Sequence, residues 1–290
     1  MKLASIRDGS RDGRLVVVSR DVTQASDARH IAPTLQAALD DWDRLAPHLD
    51  LVARGVESGG QPVERFHERE AMAPLPRAYR LMEAGAPCAN APLLRLRGSD
   101  GFAGPRDPIR LADDETGLEI GAAIAVVLGD VPIGADRATA LAAIRLVMLM
   151  STVALQRLSD DGDDGDDAAG PAATFSPVAV TPDELGAEWD GAQLRGALLL
   201  EVNGRPIGRR DEGAGMAADF GDLIVRAARH RPLGAGAIVG SGPVTVGGGD
   251  GAACPSLLGM GDTLRIEMRD ATGHAIFGAI ETQVEPFRRN

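Results

Sequence analysis

Residues 118–128 read LEIGAAIAVVL, a run dense in Ile and Val that Gly129-Asp130 closes. Such a stretch is a well-buried strand, so a chain containing it must cover both sides of a sheet. From Asp136 to Leu158 the residues Leu141, Ile144, Val147, Met148 and Leu155 fall at helical spacing, which predicts a buried helix after that strand. Arg145 interrupts this apolar segment and Asp136 and Arg157 flank it, so it falls short of a membrane span.

The flanking segments are of two kinds. Lys2–Ile6 and Leu15–Ser19 are short β-prone runs separated by the turn-rich RDGSRDG, which predicts a hairpin. From Ile31 to Ala53, the residues Leu35, Ala38, Leu45, Leu49 and Val52 recur at helical spacing, with Pro33 near the start where its missing N–H costs least. Gln61 to Pro76 reads as a connector. Beyond residue 170, strands are expected at 175–180, 198–202, 237–239, 264–268 and 275–282, with one helix at 216–229. The expectation is an α+β, β-dominated chain with a small N-terminal domain over 1–75 and a larger one over 76–290.

Charge and cysteine content narrow the partners. Thirty Lys and Arg against 42 Asp and Glu give a net charge of −12, which argues against nucleic acid and against an anionic membrane surface. Cys88 and Cys254 have neither metal-type nor redox-motif spacing and point to a reducing compartment. Arg7 and Asp8 come too early for the apolar core of a secretory signal, so a cytoplasmic location is expected.

Several motifs look sharper than they are. The tract Asp160-Asp161-Gly162-Asp163-Asp164-Gly165-Asp166-Asp167 lacks the spaced calcium-loop pattern and its closing Glu. Its like charges repel, so it predicts a flexible acidic loop over 159–170. The glycine-rich segments at 234–242 and 246–253 are followed by no Gly-Lys-Ser/Thr and read as turns. His67-Glu68-Arg69-Glu70 has no second histidine for a zinc motif, and no base lies near Cys88 to activate it.

Longer segments carry a family likeness. The opening MKLASIRDGSRDGRLVVVSRD, PLPRAYR at 74–80, GSDGFAGPRDPI at 98–109 and AIRLVMLMSTVALQRL at 143–158 resemble the bacterial fumarylacetoacetate hydrolase family. So do FSPVAVTPDELG at 175–186, RPLGAGAIVGSG at 231–242 and GDTLRIEMRDATGHAIFGAI at 261–280. The resemblance implies a short N-terminal domain followed by a mixed β-sandwich roll. It also implies a homodimer that uses Mg²⁺ or Ca²⁺ to cleave, decarboxylate or hydrate oxo-acids and diketones. In the family, carboxylates from a Glu-x-Glu strand and from an Asn-Asp pair near the end of the next helix hold the ion.

This chain departs from that pattern where the chemistry lies. Gly121 and Ala123 stand at the Glu-x-Glu positions, and Ser151-Thr152 replaces Asn-Asp, with Thr152 at the third carboxylate. Gly170 stands where the family has a lysine, and Pro243 where it has a threonine hydroxyl. The segment between Arg80 and Gly98 is short and lacks the family's His-, Asn- and Glu-containing loop. Arg95, Arg97, Ser99 and Asp100 are the candidates left for an anion-binding remnant pocket, and pairing among themselves on the surface is the favoured reading. The expectation is a non-catalytic family member with no metal cofactor, pairing as a homodimer or with an intact paralogue. The alternatives are a divergent hydrolase or lyase acting on a C–C bond of an oxo-acid or diketone without the usual metal site, and a relic with no selected role.

Overall fold

The computed structural model describes residues 1–85, 94–111, 118–155, 172–210, 218–242 and 257–287. In chain order the elements begin with β1 (Lys2–Ile6), β2 (Arg14–Val18), β3 (Gln24–Asp27), α1 (Leu35–Leu39), α2 (Trp42–Glu57) and β4 (Glu64–Arg65). There follow β5 (Leu81–Ala84), β6 (Leu94–Arg97), β7 (Ile109–Leu111), β8 (Leu118–Leu128), α3 (Arg137–Ala142) and β9 (Ile144–Leu155). After β10 (Thr174–Phe175) and β11 (Ala179–Val180), a 3₁₀ segment (Pro182–Glu188) leads to β12 (Ala197–Val202), β13 (Arg205–Arg210) and α4 (Phe220–Ala227). The last strands are β14 (Ile238–Gly240), β15 (Leu257–Leu258), β16 (Thr263–Arg269) and β17 (Ala275–Pro286).

The strand at 118–128 and the N-terminal hairpin form where the sequence places them. The predicted helix at 136–158 does not. Only Arg137–Ala142 is helical, capped by the Asp136 carboxylate, which accepts from Thr139 N. Ile144–Leu155 is strand β9, paired with β8 over eleven positions from Leu118↔Leu155 to Leu128↔Ile144. Its run of apolar residues fits a strand buried on both faces as well as a buried helix, and periodicity cannot separate the two. The helix expected at 31–53 divides into α1 and α2, with Thr34 Oγ1 accepting from Ala37 N at the first start.

Two sheets form among the described residues. The larger runs β4-β3-β2-β1-β11-β9-β8-β14-β5-β6, with β10 also on β9 and β15 also on β8. The smaller runs β13-β12-β16-β17-β7. Alternation along β8 sorts its side chains between two cores. Ala122, Ile124 and Val126 join Val147 and Leu149 against Ile266 and Phe277 of the smaller sheet. Ala123, Ala125 and Val127 join Met148 and Met150 in the layer that α1 and α2 cover with Leu35 and Leu49. Burying each large aliphatic side chain here is worth about 1.5–3 kcal/mol.

Lys2 joins the two sheets. It lies on β1, 6% exposed, and its Nζ donates to Ile276 O at 2.6 Å. That carbonyl sits where the β16–β17 register shifts between Glu267 and Arg269, so the ammonium serves a backbone group beside a break in the ladder. Burial pushes the Lys2 pKa below its ordinary value, against the pull of Glu184, Asp270, Asp21 and Glu57.

Two substitutions test this packing by chemical denaturation. Lys2→Met keeps the length of the side chain but strips the Ile276 carbonyl of its donor, and should cost about 1–3 kcal/mol; a loss near zero would show that the ammonium holds nothing. Gly242 (φ +77°) and Gly9 (φ +89°) share the left-handed backbone, but a Cβ at Gly242 would lie 2.1 Å from Ala84 O, whereas at Gly9 nothing lies within 4 Å. Gly9→Ala should therefore cost about 1–2 kcal/mol, from backbone strain alone, and Gly242→Ala clearly more; equal losses would refute the close approach of Gly242 to β5.

Candidate functional site

The positions that the family likeness singles out meet at one end of the β8–β9 ladder. Gly121 pairs with Thr152 and Ala123 with Met150. Gly121 and Ala123 are two apart on a strand and share a face. Their third companion is thus the adjacent strand, not a helix. Ser151 pairs with Ala122 and turns to the other face, where its hydroxyl and that of Thr174 opposite it on β10 are buried with no hydrogen-bond partner among the described residues.

The neighbouring strands pack against this place. Gly240 on β14 pairs with Ala125 on one side and Glu83 on the other. A Cβ on Gly240 would lie 2.7 Å from Met150 Cε and 3.6 Å from Glu83 Cγ, so the Met150 thioether and the Glu83 side chain meet over this glycine. Ser241 is committed to structure: its Oγ accepts from Ile124 N at 3.1 Å and donates to Gly242 O at 2.9 Å.

β6 brings in the positive charge. Its LRLR alternation puts Arg95 and Arg97 on one face, with Arg95 opposite Glu83 and Arg97 opposite Leu81. The Arg97 side chain is 12% exposed and that of Glu83 is 8%, with Arg97 Nε 3.5 Å from Glu83 Oε2. Arg97 Nη2 also donates to Val153 O on β9 at 3.1 Å. Arg95 lies over Gly85, where a Cβ would be 3.3 Å from its Nε.

The surface reading of these arginines is therefore corrected: the Arg97 side chain is mostly buried and Arg95 is half-buried, because β5 pairs with β6 and presents Glu83 to them. Ser99 and Asp100 lie past the end of β6; Ser99 gives its carbonyl to Ala78 N, and Asp100 is exposed. The sequence reasoning missed Glu83 altogether. Its signal was a lone acid in the apolar run LMEA, legible only once its partner strand is known. Gly170, Pro243, Cys88, Cys254 and the acidic tract 160–167 lie outside the described residues.

A hard divalent cation needs about six oxygen ligands. Gly121 and Ala123 supply none, Met150 offers a soft thioether, and Glu83 is engaged by Arg97. The donors described at this place do not fit such an ion, and among the described residues no group of three or more His, Cys, Asp or Glu side chains is placed to hold one. What the arrangement provides is a shielded guanidinium–carboxylate pair next to an apolar floor.

A cleft elsewhere, lined in part by Lys2, Arg20, Glu184, Glu188 and Asp270, is richer in acids. Its charges are spent on one another: Glu184 bonds both Arg20 and the amine of Met1, and Asp270 caps its own turn. It reads as a structural seam.

The comparisons with known proteins agree on the fold. A model described as fumarylacetoacetase N-terminal domain 2 matches residues 1–77, and one described as fumarylacetoacetate hydrolase C-terminal matches residues 49–285. A fumarylacetoacetate hydrolase from the psychrophile Exiguobacterium antarcticum superposes with a TM-score of 0.73 at 20% identity, over 99% of this chain and 100% of that one. A maleylpyruvate hydrolase from Sphingobium sp. SYK-6 gives 0.72 at 17% identity, over 99% and 100%; its complex with manganese(II) ion and pyruvate gives 0.71 at 16%, over the same shares. No curated protein matches by sequence. Because the C-terminal model spans most of its length, the chain belongs to the fumarylacetoacetate hydrolase family.

Proposed function

We propose that the chain is a non-catalytic member of its family, a cytoplasmic subunit that pairs with a second copy of itself or with an intact relative. One observation carries this reading: the neighbouring ladder positions 121, 123 and 152 hold Gly, Ala and Thr, beside a methionine, where the family likeness calls for carboxylates. A hydroxyl and a thioether do not replace three anions around a hard cation. The framework that packs is kept, while the groups that would react are missing. The compartment rests on the two cysteines and their spacing, and the pairing on the symmetric association common among folds of this size.

Co-purification from the native host, with mass spectrometry of what accompanies the chain, tests the role. A family relative or a second copy supports the subunit reading, whereas a lone monomer that turns over an oxo-acid or a diketone would end it. Calorimetry with Mg²⁺, Mn²⁺ and Ca²⁺ should give no saturable stoichiometric heat, and such a heat persisting after deletion of residues 160–167 would contradict the reading.

The variant Gly121→Glu/Ala123→Glu/Thr152→Asp tests the register itself. Three carboxylates on paired positions should converge, so metal should stabilise the variant by about 2.7 kcal/mol at a hundredfold excess over Kd. Without metal it should be less stable than the parent, since like charges crowd a buried place. A folded variant that melts identically with and without Mn²⁺ would show that these positions do not face one space.

A further inference from the structure

Arg97 starts on the edge strand β6 and ends at the backbone of β9, four steps away along the hydrogen-bonded strand order. A side chain spans that separation only because the sheet curls until its edge faces its own middle. The guanidinium arrives at Val153, which pairs with Ile120 one position along from Gly121↔Thr152. On the way its Nε passes Glu83 Oε2 at 3.5 Å. Taking a cation and an anion out of water is costly and needs good geometry to be offset. At 3.5 Å the pair is too long for a good hydrogen bond, so the bond to the β9 carbonyl is part of what keeps the arginine there.

We infer that the Arg97 guanidinium is the built-in cation of this site. A divalent ion at such a place has two structural effects: it neutralises an inward-facing carboxylate and it ties separate strands together. Arg97 does both with a group that is part of the chain, since it faces Glu83 on β5 and bonds the backbone of β9. The planar fork of arginine makes the two contacts from separate nitrogens, Nε and Nη2, held in fixed geometry, whereas a lysine has to direct all its donors from one nitrogen. Arg97 is thus a positioning residue that sets the charge of the site and ties β5 and β6 to β9. The inference rests on the reading that the site has no metal of its own.

Melting curves of the full-length chain test it through a double-mutant cycle. Arg97→Met should lower Tm by about 5–10 °C, because it withdraws the cation while Glu83 stays buried. Adding Glu83→Gln should restore at least half of that loss. Arg97→Lys, which keeps the charge but not the fork, should fall between parent and Arg97→Met.

A second readout uses Mn²⁺ on the Gly121→Glu/Ala123→Glu/Thr152→Asp variant. Withdrawing the guanidinium with Arg97→Met should lower the Mn²⁺ concentration at half-maximal stabilisation by about tenfold or more, because a fixed positive charge no longer opposes the ion. If Arg97→Met does not fold, Glu83→Gln in the same variant should raise that concentration, since the guanidinium then acts without its carboxylate. The inference is overturned if the Arg97→Met and Glu83→Gln losses simply add, or if the Mn²⁺ midpoint ignores both substitutions. A saturable Mn²⁺ response of the unmodified parent would instead refute the metal-free reading beneath it, so the two failures are distinct.

Discussion

The β8–β9 ladder is the element on which the rest of the molecule hangs. From Ala122 to Val127 on β8 and from Leu146 to Ser151 on β9 it is buried on both faces, so a slip of one residue would exchange the residues that meet the smaller sheet with those that meet the helices. β14 and β15 add to the β8 side, β10 and β11 to the β9 side, and β11 leads to β1 and the N-terminal hairpin. The candidate site is simply the far end of this ladder. Its geometry is inherited from a register that both cores enforce.

On the helix-covered face, one continuous surface changes character along its length. Val127, Leu146, Ile238 and Leu81 are apolar core, while Ala123, Gly240, Glu83 and Arg97 follow on the same strands or the next one. The missing side chain at Gly240 leaves room that Met150 and Glu83 take up. A carboxylate and a guanidinium remain in so dry a place because each faces the other, and because the backbone of β9 takes up one of the guanidinium donors. Packing and charge are therefore coupled: a side chain at Gly240 would press on Met150 and on the carboxylate partner of Arg97.

Much of this was legible in the sequence, and the exceptions have physical causes. β8 was readable to the residue because Ile and Val fill it and Gly129-Asp130 ends it. The hairpin was readable because a turn-rich segment separates two β-prone runs. β9 was not, since a strand apolar on both faces has no period of two to show, and its Leu and Met content suits a helix equally. The positions at 121, 123 and 152 were found through the family likeness, and their meeting on adjacent strands required the register. Glu83 was invisible because its meaning depends on pairing with a strand that lies beyond an intervening segment, and Arg97 looked superficial because one strand alone does not reveal how far the sheet curls.

The placement of Lys2 bears on the order in which the chain can assemble. β1 pairs with residues 179 and 180, and its lysine bonds the carbonyl of residue 276, a separation of 274 positions. The hairpin therefore lacks its inner neighbour until residues 179 and 180 are in place, and Lys2 lacks its acceptor until residue 276 is. Closing so large a loop carries an entropic cost before any contact rewards it, so the steps that join these distant strands should be slow. Until then the edge of β1 that β11 covers in the folded chain is open to pairing with other chains.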